Sequence, residues 1–428
     1  MKCTQISILA RFVLIIDYFK TRPDKSVPNS TTQWSNILVL TVSSVLVMTL
    51  WFSASAVTPV LESLWNLTSI GAAWLTISVQ IGFVFGSLLS AVLNISDIFQ
   101  THRVYAFSSF LGALTNTLFV FMAHGLLVGS LLRFLTGAFL AGVYPPSMKL
   151  AAGWSKRYRG SVIGALVAAL TLGSASPYLM RSFDFPWQNV ILTSSGLALL
   201  GGLLVIFLFK PGPYTVPTAR FNPQFIREVF SRKSLRFTNF GYLGHMWELY
   251  AMWTWVPIFI VEEAPNQDNV GFLGLLAFAI IAVGSIGCLL GGVAADRIGR
   301  TLLTSVSMIA SASCALIVAV LVLYKAPLYF MIPVLLFWGI VIVADSAQFS
   351  AAATELSPAE YVGTTLTLQT TMGFILTIFS IQSVPLLVQV DGWSLAFASL
   401  SIGPFIGALA MLRLRKLDES KFLANGRR

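Results

Sequence analysis

Four ionisable residues stand inside long apolar stretches of this chain: Arg133, His245, Glu248 and Asp345. An ionisable side chain in hydrocarbon is costly, so each is a functional candidate by default. Glu248 can serve as a proton-coupling carboxylate or as a solute contact. His245 lies three residues earlier, one helical turn away on the same face. It reads either as the partner of Glu248 or as a satisfied packing histidine. Arg133 reads either as the contact for an anionic solute or as a structural arginine bonded to backbone carbonyls. Asp345 reads either as a second site carboxylate or as a gate residue. His245, Glu248 and Met252 share one helical stripe. With Asp345 they form an alternative set of ligands for a metal ion, such as iron, carried as cargo. No other His or Cys has metal-ligand spacing, so neither a resident metal nor a cofactor is expected. No enzyme constellation is present, and no Walker loop, which disfavours ATP-driven transport.

Aromatic residues gather beside these positions. The run around Glu248 holds Tyr242, Trp247, Tyr250, Trp253 and Trp255, while Trp51 and Tyr144 (next to Pro145 and Pro146) are further candidates to line a cavity. An aromatic wall suits a flat or amphipathic organic solute; the plainer alternative is core or interface packing.

The elements that must position these residues are membrane helices. Of 428 residues, 56% are hydrophobic and only 10% charged, against about 25% charged in soluble domains. The three cysteines form no disulfide framework, and Cys288 and Cys314 sit in apolar runs as packing residues. Apolar runs fall near 35–57, 70–93, 104–123, 125–150, 161–180, 188–209, 237–261, 270–294, 301–323, 328–350, 361–386 and 392–413, which predicts twelve spans. The basic residues support an even count. Of 27 Lys and Arg, only Arg133, Arg181 and Lys325 fall outside the termini and the loops or span ends on one face of such a model. By the positive-inside rule both termini are cytoplasmic. The same spread argues against nucleic acid, which would need a compact basic patch. The reading is a multi-pass protein of the bacterial inner membrane, monomeric, with the lipid bilayer, a small-molecule or ion substrate and protons as its partners.

The organisation follows: a cytoplasmic segment at 1–34, with a candidate interfacial helix in its first twenty residues; a six-helix bundle at 35–209; a linker at 210–236 that starts Lys210-Pro211-Gly212-Pro213 and has room for a surface helix at 222–234; a second bundle at 237–413; and a tail at 414–428. Landmarks recur about 200 residues apart. Gly292, Asp296, Arg297, Gly299 and Arg300 in loop 8–9 are echoed weakly by Asp97 and Arg103 in loop 2–3, and Gly160 by Gly363.

On these residues the chain resembles the major facilitator superfamily. Its G-x-x-x-D-R-x-G-R loop signature is intact from Gly292 to Arg300, and its span 4 pattern has counterparts in Arg133, Gly137 and Gly142. Loop 2–3 departs from the signature. The antiporter run expected in span 5 is absent, which disfavours drug–proton antiport. The resemblance implies an all-α membrane fold of two pseudo-symmetric six-helix bundles, with spans 1, 4, 7 and 10 around a central cavity. It further implies a cytoplasmic gate in which Asp296 meets the start of span 11 near Gly363, aided by Arg297 and Arg300, with Asp97 and Arg103 as the weaker counterpart. The function expected is alternating-access transport of a small solute, weakly favoured to be an anion, by proton symport or uniport. Alternatives are an iron carrier of a specialised membrane such as the magnetosome, and a transporter-shaped sensor or assembly scaffold.

Overall fold

A backbone polar group in hydrocarbon must be bonded within its own segment, so an apolar run long enough to cross a bilayer folds as helix. The computed structural model of the chain describes residues 30–93, 95–154, 159–214, 226–264, 269–358 and 362–428, and these are helical with no strand among them. Ten windows are long and apolar enough to cross a membrane. Two features raise the number of crossings to twelve. The window Val362–Arg415 is 54 residues long, and its helix breaks at Asp391 and Gly392, the latter with φ 70°, so it holds spans 11 and 12. Helix Lys233–Glu262 is span 7; it is 30 residues long but not among the ten windows. Most of its side chains are buried in protein, Glu248 and His245 included, so it has little need of a continuous lipid-facing apolar surface. Facing outward on other spans are large apolar side chains such as Phe85, Phe107, Phe121, Leu127 and Phe207. They suit lipid and would make a soluble protein aggregate.

Several spans are interrupted. Span 1 is not one run over 35–57: it comprises Ser30–Met48, a turn, a 3₁₀ segment Ser55–Val57 and Thr58–Trp65. Span 4 divides into Leu126–Leu140 and Tyr144–Ala152, with Pro145 and Pro146 in the first turn of the second piece. Span 10 divides at Asp345, between Leu328–Ala344 and Ser346–Leu356. On the basic face, Gln33 Nε2 donates to the Trp154 carbonyl (2.7 Å), Trp154 Nε1 to the Lys210 carbonyl (2.9 Å), and the Lys210 N–H to Asn36 Oδ1 (2.6 Å). The start of span 1, the end of span 4 and the exit of span 6 therefore meet there. In the linker the described residues are 210–214 and 226–236; they include the short helix Ile226–Ser231, and span 7 then begins at Lys233. The candidate interfacial helix of the first twenty residues lies outside the described residues.

Glycines set the closest helix contacts, and they repeat between the halves. A Cβ on Gly137 of span 4 would lie 1.9 Å from the Val79 carbonyl oxygen of span 2, and one on Gly82 of span 2 would lie 1.9 Å from that of Phe134. Spans 8 and 10 do the same: a Cβ on Gly287 would lie 2.0 Å from the Ile340 oxygen, and one on Gly339 1.9 Å from that of Ile280. Small residues are what let membrane helices approach so closely. Gly137→Val should therefore force spans 2 and 4 apart and cost at least the roughly 1–3 kcal/mol of ordinary overpacking. A lowered melting temperature of the purified protein is expected; an unchanged one would show that the crossing yields freely.

Candidate functional site

Arg133 is fully buried on span 4, and the break in span 1 explains its position. A helix that stops in the middle of a membrane leaves carbonyls without intrahelical donors. Arg133 supplies those donors: Nη2 bonds the carbonyls of Leu50 (3.0 Å) and Trp51 (2.5 Å), while Nη1 bonds Ser53 Oγ (3.1 Å) and Asn116 Oδ1 (2.8 Å). Asn116 of span 3 in turn donates to the Ile191 carbonyl and Ser195 Oγ of span 6. The guanidinium thus faces the interior of its own half, among spans 1, 3 and 4, as a strut for the broken helix. Of the two sequence readings of Arg133, this geometry matches the structural one.

Trp51, next to that break, enters an aromatic cluster that joins the two halves. Its ring lies 5.1 Å from Phe83 on span 2, 5.9 Å from Tyr250 on span 7 and 5.6 Å from Phe374 on span 11. Tyr250 also meets Trp253 at 5.6 Å, and Phe52 stacks against Tyr250 at 6.3 Å. One turn along spans 2 and 11, Thr377 Oγ1 donates to Gln80 Oε1 at 2.6 Å. Tyr144 is half-buried at the start of the second piece of span 4 and lies within electrostatic range of Tyr242 in the other half. Within the cluster, Trp51 Nε1, Trp253 Nε1 and Gln80 Nε2 are buried without an acceptor. Each such orphan costs about 1–3 kcal/mol.

Glu248 on span 7 is 2% exposed. Its Oε2 accepts from Ser311 Oγ of span 9 at 2.7 Å and its Oε1 from Trp338 Nε1 of span 10 at 2.8 Å. Both donors are neutral. One turn earlier, His245 Nδ1 stands 3.0 Å from Asp345 Oδ1, close enough for a charge contact though without the alignment of a hydrogen bond. His245 Nε2 and Ser346 Oγ are 2.8 Å apart. Asp345 is buried in the break of span 10, within electrostatic range of Glu248. The sequence reading put Arg133, Glu248 and Asp345 around one shared space. The structure instead turns Glu248 and Asp345 into the second half, among spans 7, 9 and 10, and Arg133 into the first. Among the described residues no three His, Cys, Asp or Glu side chains gather as a metal-ligand group.

The comparisons with known proteins bear on this arrangement. The Major Facilitator Superfamily profile matches residues 40–381. The chain belongs to the major facilitator superfamily. No curated protein is significantly similar to it in sequence. Its fold is similar to a solved structure of the proton:xylose symporter XylE bound to 6-bromo-6-deoxy-D-glucose, at TM-score 0.72 and 14% identity over 90% of this chain and 96% of that one. A D-xylose-proton symporter structure aligns at TM-score 0.70 and 16% identity, covering 91% and 99%.

The superfamily's loop signature sits where spans 8 and 9 join, but its contacts differ from those expected. Asp296 and Arg297 are exposed and Gly292 is buried. Among the described residues the contacts found for Asp296 are with Arg300, 4.0 Å away, and with Arg427, which donates to the Asp296 carbonyl. The expected contact with the start of span 11 near Gly363 is not among them. Arg300 turns inward, gripping Glu355 of span 10 with Nε and Nη2 (2.7 and 2.6 Å) and Gln348 with Nη1 (2.5 Å). The tail closes over this pair: the Ala424 N–H donates to Glu355 Oε2 at 3.1 Å, and Leu423 is buried. Gly299 has φ 96°, and a Cβ there would lie 1.8 Å from the Arg428 carbonyl oxygen. The signature therefore clamps the end of the second half to its own tail. A loop motif specifies backbone shape and charge, not which distant helix end receives it. In loop 2–3 the side chain of Asp97 lies outside the described residues, and Arg103 is exposed.

Ser311, Trp338, Gln80, Asn116 and Glu355 were missed in the sequence. Gln80 and Asn116 carried a usable signal, as lone amides inside apolar runs. A Trp or Ser in a span carries none.

Proposed function

We propose that this chain is a secondary carrier that moves a small organic solute by alternating access, drives it with protons bound at Glu248, and keeps both termini in the cytoplasm. The observation that carries the reading is Glu248: a carboxylate 2% exposed, held by two neutral donors. A buried charge without a counter-charge is costly, so a proton is its natural partner. Protonation would remove the charge when span 7 shifts against spans 9 and 10. The two proton symporters of similar fold support the same class. The basic loops support the orientation. Arg133 is engaged by main-chain carbonyls, which removes the sequence ground for favouring an anion.

The test begins with a thermal-shift screen of a solute library, since a ligand that binds the folded state stabilises it. A binder is then offered to proteoliposomes with an inward acid gradient. The proposal expects concentrative uptake that a protonophore collapses. Uptake that only equilibrates, indifferent to protonophore, would leave a uniporter. Binding without flux would sink the carrier reading in favour of a sensor.

A further inference from the structure

The orphan donors of the aromatic cluster identify the chemistry of the solute. Trp51, Gln80 and Trp253 come from spans 1, 2 and 7, on both sides of the contact between the halves, and are 2%, 0% and 0% exposed. Each presents an N–H with no acceptor, and no carboxylate takes part in the cluster's ring contacts. Buried polar groups in folded proteins are ordinarily paired, so a set of unpaired donors is an explicit demand for acceptor atoms. Around them Phe83, Tyr250 and Phe374 offer ring faces.

A narrow cleft lies beside the cluster, between the second piece of span 1, the start of span 2 and span 7. Three of its five hydroxyls stand four residues from cluster members: Ser55 from Trp51, Thr76 from Gln80 and Thr254 from Tyr250. The charged residue lining it is Glu62, which also feels the charge of Glu262 in the other half. An acidic approach repels anions. A cation would meet unpaired N–H donors and no carboxylate among the cluster's members. What remains is an uncharged solute.

We infer that the Trp51–Gln80–Trp253 cluster is a binding site for an uncharged organic solute that combines an apolar ring face with hydrogen-bond-accepting oxygens. This rests on the carrier reading for its physiological meaning, but it is a statement about binding and is tested by binding. The probes are matched sets on one ring each: nicotinamide and nicotinate; D-glucose, D-glucuronate and D-glucosamine; benzamide, benzoate and benzylamine. Melting shifts of the purified full-length protein are read, and tryptophan fluorescence titrations give Kd.

At least one uncharged member should stabilise the protein while its charged partners do not. That affinity should weaken roughly fivefold to tenfold in Trp51→Phe and in Gln80→Leu, each of which removes one donor and keeps apolar bulk. Ser63→Ala, exposed beyond the cleft, controls for general effects. Stabilisation by charged members alone, no stabilisation by any uncharged member, or an affinity untouched in both variants would overturn the assignment. Should either variant fail to fold, Trp253→Phe takes its place under the same criterion. Binding of an uncharged probe without flux would leave the assignment standing and remove the carrier reading; proton-driven flux of a charged solute would do the reverse.

Discussion

Glu248→Gln should abolish proton-driven accumulation of solute while leaving counterflow exchange across the same vesicles. The substitution keeps shape and one acceptor but removes the titrating group. In the native protein the carboxylate accepts from Ser311 Oγ and Trp338 Nε1. The amide of Gln can accept from Trp338 Nε1 through its oxygen while its NH₂ donates to Ser311 Oγ, whose hydroxyl turns to accept, at the loss of the charge-assisted character of both bonds, about 1.5–3 kcal/mol. Removing a buried charge offsets part of this loss, because an uncompensated ion in low dielectric is itself costly. The fold is therefore expected to survive, with a melting temperature near the native one, while coupling is lost. Counterflow needs only the movement of loaded carrier, and a permanently neutral residue at position 248 imitates the protonated state. Proton-coupled uptake retained in Glu248→Gln would remove Glu248 from the mechanism. The pair His245 and Asp345, one turn away on spans 7 and 10, would then be the group to replace next.

The second large effect concerns the first half. Arg133→Ala should destabilise the protein and stop transport together. Truncation leaves the Trp51 carbonyl without its side-chain donor in the middle of the membrane, and leaves the Leu50 carbonyl and Asn116 Oδ1 to share the single hydroxyl proton of Ser53. Each hydrogen bond to a charged group is worth about 1.5–3 kcal/mol, and the loss is expected to exceed roughly 3 kcal/mol. Trp51 stands at the break Arg133 holds, so disorder there also disturbs the cluster between the halves. Arg133→Lys keeps the charge but offers a point donor in place of a fork, so partial recovery of both stability and uptake is expected. The measurement is melting temperature beside transport rate in all three proteins. A native melting temperature in Arg133→Ala, with only solute affinity lost, would return Arg133 to the role of anion contact.

The spans could be read from the sequence because hydropathy and Lys/Arg placement follow directly from the solvent each residue meets. Even span 7, too polar for a hydropathy window, was recoverable from its aromatic and apolar content. The helix breaks were less legible. Pro145 and Pro146 marked the one in span 4, but the helix Ser30–Met48 that ends at the break in span 1 holds no glycine or proline, and the arginine that bonds the exposed carbonyls stands some 80 residues away. Candidate residues were found by type, since ionisable groups in hydrocarbon are few. Their partners were not, because helix rotation decides whether Arg133 or Glu248 faces the other half or its own, and single-sequence periodicity in a wholly apolar helix leaves rotation open. The tail read as a plain appendage; its Leu423 packs instead into a cluster with Leu235, Phe349 and Met411.

The central claim is that the two halves rock against each other to move solute. The most direct test is a reversible tether between spans 2 and 11, where Gln382 Nε2 reaches the Ile70 carbonyl at 3.5 Å. Ile70→Cys and Gln382→Cys, on a background with Cys3, Cys288 and Cys314 replaced by Ala, are joined by a short, cleavable thiol cross-linker in proteoliposomes. The account predicts that uptake ceases when the link is complete and returns when it is cleaved. Uptake continuing at the untethered rate through a fully linked protein would contradict it.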